Sequence, residues 1–95
     1  MALYALSEHF LINNQELIDC LIKRESGGRT DAYGDHGKAY GILQFHRATF
    51  NSFSKEYGMT YLEYENPQDQ IMLADFMLSD GLSSHWTTYK FCIEL

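Results

Sequence analysis

Residues 13–28 read NNQELIDCLIKRESGG. Leu17, Ile18, Leu21 and Ile22 recur at helical spacing, which predicts a helix with one apolar face. Asn13, with Glu16 three residues on, fits a capping box at its start. Lys23 and Arg24 stand in the last turn, where cations complement the helix dipole, and Gly27-Gly28 stop it. Glu25 breaks the pattern. It follows Ile22 by three residues, Leu21 by four and Ile18 by seven, which puts it on the apolar face. A carboxylate there loses solvation, and at a helix C-terminus it meets unfavourable backbone dipoles. Both effects disfavour its charged form, and a carboxyl group that keeps its proton can protonate a leaving oxygen. The competing reading is a side chain that swings to solvent or pairs with Lys23, Arg24 or Arg29.

Further along, residues 29–41 (RTDAYGDHGKAYG) form a glycine-punctuated polar loop with room for a small hairpin. A second helix is expected soon after His46, with Phe50, Phe53 and Tyr57 on one face and Gly58 as its stop. The third has the strongest signals: Asn66 as cap, Pro67 at the first helical position and Asp69 in the first turn. Ile71 to Leu78 are apolar on most sides, so this helix is expected at the centre of the core, ending at Gly81. A shorter helix is expected around Leu3 to Leu11. The aromatic tail SSHWTTYKFC carries no periodicity that assigns it.

The chain of 95 residues predicts a single domain over 1–95. At 45% hydrophobic and 15% aromatic residues it can build a core despite its small size. The net charge of −6 argues against phosphate-backbone binding of nucleic acid and against adhesion to anionic surfaces, so a substrate has to be captured in a groove. No run reaches the roughly 18 apolar residues of a spanning helix. The start, MALYALSEHFLI, lacks a basic n-region and a small-residue cleavage site and does not read as a signal peptide. Either the chain stays inside a cell or it is a trimmed or mature domain. Cys20 and Cys92 have no metal spacing. They are either two small buried apolar residues or one long-range disulfide, which would imply an oxidising compartment.

Other motifs fall away. Gly37-Lys38 is not a phosphate loop, because the upstream glycine is missing and Ala39 stands where Ser or Thr should bind magnesium. Asp31 and Asp35 do not make a calcium loop, since Tyr33 occupies a ligand position. Asp31, Asp35, His36 and His46 could gather around a metal, but scattered histidines are more often turn residues, and no metal or cofactor is expected.

Glu25-Ser26-Gly27-Gly28 is followed by Gly34-Asp35-His36-Gly37 and then Gly41-Ile42-Leu43-Gln44. In order and spacing this resembles the lysozyme-like superfamily, in particular the lytic transglycosylases and goose-type lysozymes. Their shared pattern is a helix ending in Glu-Ser, a Gly-rich loop and a Gly-Leu-Met-Gln-like segment. Asn66-Pro67 through Leu78 resembles the Asn-Pro-x-x-Gln-Ile helix that often follows, and the resemblance covers about residues 15–80. It implies a mainly α, lysozyme-like domain with a Gly-rich loop or short β-hairpin after the catalytic helix. It also implies cleavage of peptidoglycan glycan strands, by a monomer working in the periplasm or outside the cell. Glu25 becomes the general acid and later the base. Ser26, Tyr40, Gly41, Gln44, Phe45 and His46 hold or line the groove, with bare Gly41 letting backbone approach the sugar. Trp86 and Tyr89 could stack on sugar rings or close the core.

Two products are open. Hydrolysis needs a second group to activate water or stabilise the oxocarbenium ion, usually a carboxylate. Asp35 matches the goose-type Gly-Asp step, against the plainer reading of an Asx-turn residue, and Asp31 is a weaker alternative. The other acidic position of the goose-type pattern holds His46 here. A lytic transglycosylase instead closes a 1,6-anhydro ring from the muramic acid itself, and usually carries an Ala-Tyr-Asn triplet that is absent after residue 80. The residues therefore favour hydrolysis. A non-catalytic glycan-binding module and an intracellular helical interaction domain are the rival classes.

Overall fold

The computed structural model describes residues 14–93. The helix expected around Leu3 to Leu11 and the Asn13 cap lie outside the described residues. Four α-helices are present among the described residues: α1 (Asn14–Glu25), α2 (Arg47–Glu56), α3 (Pro67–Ser79) and α4 (Tyr89–Ile93). Three two-residue strands, β1 (Tyr33–Gly34), β2 (Ala39–Tyr40) and β3 (Phe45–His46), form an antiparallel sheet in that order between α1 and α2. The chain thus adopts the mainly helical, lysozyme-like class, with the hairpin after the first helix.

α1 buries Leu17, Ile18 and Leu21. It is tied to α3 by Asn14, whose Nδ2 donates to Asp75 Oδ1 and to Ser79 Oγ, both at 2.8 Å. α3 starts as its sequence dictates. The Asn66 side chain accepts from the backbone N–H groups of Gln68 and Asp69, and Pro67 takes the first helical position, where a missing N–H costs nothing. Its core stripe is Gln70, Leu73, Ala74 and Met77. α3 thus lies at the centre of the core as expected, with Leu73, Ala74 and Met77 fully buried. Outside that stripe, Met72 and Phe76 remain 44% and 45% exposed. On α2, Phe50 is fully buried, while Phe53 stacks on Tyr57 at the helix end.

The tail does form structure. A 3-10 turn (Ser83–His85) leads to buried Trp86, whose Nε1 donates to the Leu43 carbonyl at 3.1 Å. α4 then runs against α1, and the two cysteines are bonded, Cys20 to Cys92, across 72 residues. Closing so long a loop stabilises the fold by roughly 2–4 kcal/mol.

Gln70 is the polar centre of the core, 1% exposed. Its Nε2 donates to the carbonyls of Tyr40 and Tyr64, and its Oε1 accepts from the Leu43 N–H at 3.0 Å. It therefore fastens β2, the 41–44 turn and the loop before α3 to one side chain. Gly41 sits on this amide with φ +92°, and a Cβ there would lie 2.4 Å from Gln70 Nε2. The bare glycine is accounted for by Gln70, a different reason from the close approach of a sugar expected above.

Candidate active site

A cavity of about 340 Å³ opens where the end of α1, the sheet and the tail meet. Glu25, Asp35, Ala39, Gln44, His46, His85, Trp86 and Thr87 line it.

Glu25 is the last residue of α1 and is half-buried. Its Oε2 accepts a hydrogen bond of 2.6 Å from Thr88 Oγ1, a short contact typical of a hydroxyl meeting a carboxyl group. Ser26 beside it faces the scaffold. Its Oγ donates to the Ile42 carbonyl at 2.8 Å and accepts from the Gly28 N–H at 3.1 Å, so it pins the helix end to the 41–44 turn.

The sheet register sets Gly34 opposite Ala39, and Ala39 opposite His46. Successive strand residues face opposite sides, so these three share one face and Tyr33, Tyr40 and Phe45 the other. The middle member of the row is small. Across it His46 Nε2 comes within 2.7 Å of Asp35 Oδ2. Asp35 opens the 3-10 turn between β1 and β2 with φ +50°, followed by His36 at φ +59°. Two consecutive non-glycine residues in left-handed backbone cost energy and persist only where surrounding contacts over-determine them.

Gln44 also has positive φ, +55°. Its Nε2 donates to the carbonyls of Ala32 and Gly41 at 2.9 and 2.8 Å. Its Oε1 occupies the space a Cβ of Gly34 would need, only 2.2 Å from that position. Gln44 therefore braces the hairpin while forming groove wall. Trp86 lends an edge to the wall and packs T-shaped on Phe45. His85 stacks on the same Phe45 ring, and its pKa is lowered, first by burial and then by the charge of His46.

Glu25, Asp35, Gln44, His46 and Trp86 are thus brought together. Other expected site residues are elsewhere. Phe45 is fully buried in the core. Tyr40 lines a separate cavity of about 220 Å³ with Tyr33, Lys38, Arg47 and Tyr64. Gly41 lies against Gln70, and Tyr89 packs on the core. Asp31 is exposed beside Arg29. Thr88 and His85 carried no signal in the sequence. Had the Cys20–Cys92 pairing been known, it would have shown that the tail returns to α1, but not which side chain meets Glu25.

Among the described residues no cluster of His, Cys, Asp and Glu could hold a metal ion, and no helix is long and apolar enough to cross a membrane. The arrangement sets a carboxyl group held by a hydroxyl in one cavity with a second carboxylate held by an imidazole. No curated protein and no solved structure matches the chain. The Transglycosylase SLT domain family matches residues 10–91, a span that takes in α1, the sheet, α2, α3 and the start of α4. The chain belongs to this family, and its activity is directed at peptidoglycan.

Proposed function

We propose that the chain is a muramidase that hydrolyses the β-1,4 bond between N-acetylmuramic acid and N-acetylglucosamine. The observation that carries this reading is the presence of Glu25 and Asp35 in one groove. Glu25 gives its proton to the departing glycosidic oxygen, and Asp35 serves the water that completes the cleavage. Glu25 is then reprotonated for the next turnover. The enzyme acts as a monomeric domain over 1–95, in the periplasm or outside the cell, where its substrate lies and where a disulfide such as Cys20–Cys92 persists.

The second reading is the anhydro-forming reaction that gives the matched family its name. It needs one carboxyl group, because the muramic 6-hydroxyl replaces water. Mass analysis of the soluble fragments released from purified bacterial walls separates the two. Reducing ends are expected. Fragments lighter by one water would transfer the assignment to the second reading.

Thr88 is the positioning residue for Glu25, through the hydrogen bond from its Oγ1 to Glu25 Oε2. Thr88→Val keeps the shape and removes the donor. A hydrogen bond to a charged group contributes about 1.5–3 kcal/mol, so kcat should fall about 10- to 100-fold with KM nearly unchanged. Thr88→Ser should restore most of it. Equal losses in both variants would make Thr88 a packing residue only.

A further inference from the structure

We propose that His46 is the base that takes the proton from the attacking water, with Asp35 serving to hold and orient its ring. This rests on the hydrolytic reading above and assigns the proton-accepting atom within it.

Several observations converge on His46. Its Nε2 is engaged by Asp35 Oδ2 at 2.7 Å, and both side chains line the groove that contains Glu25. A carboxylate that accepts from one ring nitrogen fixes the tautomer and leaves a lone pair on the other, here Nδ1. Asp35 anchors the ring through Oδ2, and the neutral imidazole so held offers Nδ1 as an acceptor. The His46 side chain is 46% exposed, which admits water. Its backbone position adds weight. His46 is the N-cap of α2, with extended φ and ψ, yet its side chain makes no capping hydrogen bond. Ser, Thr, Asp or Asn would stabilise the helix there. The ring is turned across the sheet onto Asp35 instead, and Asp35 itself is held in left-handed backbone.

The step balances as follows. The water oxygen bonds to the muramic C1 as the C1–O4 bond breaks. His46 Nδ1 accepts one water proton, and Glu25 delivers its own proton to O4. The imidazolium proton then returns to Glu25 through solvent, and one water is consumed. The carboxylate that orients the histidine need not itself change protonation.

Two variants test this on purified walls, beside wild type and Glu25→Gln. His46→Ala removes the base and leaves space. His46→Gln sets its amide nitrogen near the place of Nε2, so it keeps a donor toward Asp35 but has no basic nitrogen. It preserves the anchoring contact if that contact is what matters for folding. Both are expected to release reducing ends about 100-fold more slowly, within the range for general base catalysis. Added imidazole should restore at least tenfold to His46→Ala and nothing to His46→Gln. The proposal is overturned if His46→Gln works at near the wild-type rate, if imidazole restores nothing to a folded His46→Ala, or if the wild-type product is entirely anhydro. A wild type as inert as Glu25→Gln removes the muramidase reading itself. An active wild type, a dead Glu25→Gln and an active His46→Gln remove only the assignment of His46.

Discussion

Glu25→Gln is expected to lower the release of soluble fragments from bacterial walls by about 10²–10⁴-fold, the contribution typical of a positioned general acid. The substitution changes little else. The carboxamide has nearly the shape of the carboxyl group, and its oxygen can still accept from Thr88 Oγ1 in place of Glu25 Oε2. Ser26, which ties the helix end to the 41–44 turn, is untouched. Melting temperature should therefore stay within a few degrees while turnover collapses, and wall binding should persist. An active Glu25→Gln would remove Glu25 from the chemistry. Wild type and variant equally inert across a wide pH range, yet both bound to walls, would identify a glycan-binding module that keeps the shape of an enzyme.

Gln70→Leu should have the largest effect on stability. Leucine approximates the volume but makes none of the three hydrogen bonds to Tyr40, Leu43 and Tyr64. Each backbone group left without a partner costs about 1–3 kcal/mol, so a loss on the order of 3–9 kcal/mol is expected. A domain of this size has a total stability of roughly 5–14 kcal/mol, so much of it goes. Urea unfolding monitored through Trp86, which is buried against Phe45, reads this directly. The molecules that remain folded should keep their turnover, since Gln70 does not line the groove. A midpoint shift worth less than about 1 kcal/mol would mean that water or repacking satisfies those three groups, and Gly41 would then lose its explanation.

The readable parts of the sequence share a physical property. Periodicity, caps and stops act among residues within one or two helical turns. Hence Leu17, Ile18 and Leu21 define α1, and Asn66-Pro67 starts α3. Glu25 is placed at the end of its helix by counting from Ile18. The 29–41 loop announces its turns through glycine, although the two-residue strands are too short to leave an alternating pattern. The motif that led to the family was also local, built from short segments in order.

Contacts between distant residues left no such trace. Thr88 on Glu25, Asp35 on His46, Cys20 bonded to Cys92 and Gln70 beneath Gly41 join positions between 11 and 72 residues apart, brought together by packing. The same cause sorted the aromatics. Phe45, Trp86 and Tyr40 look alike as candidates for sugar contact, but the sheet faces and the core assign Phe45 to the interior, Trp86 to the groove edge and Tyr40 to another cavity. Residue order therefore specified α1, α2 and α3 and the carboxyl group at the end of the first, but not α4 in the tail. Which groups surround that carboxyl was settled by long-range folding, because hydrogen bonds and burial depend on distances in space that a linear chain does not encode residue by residue.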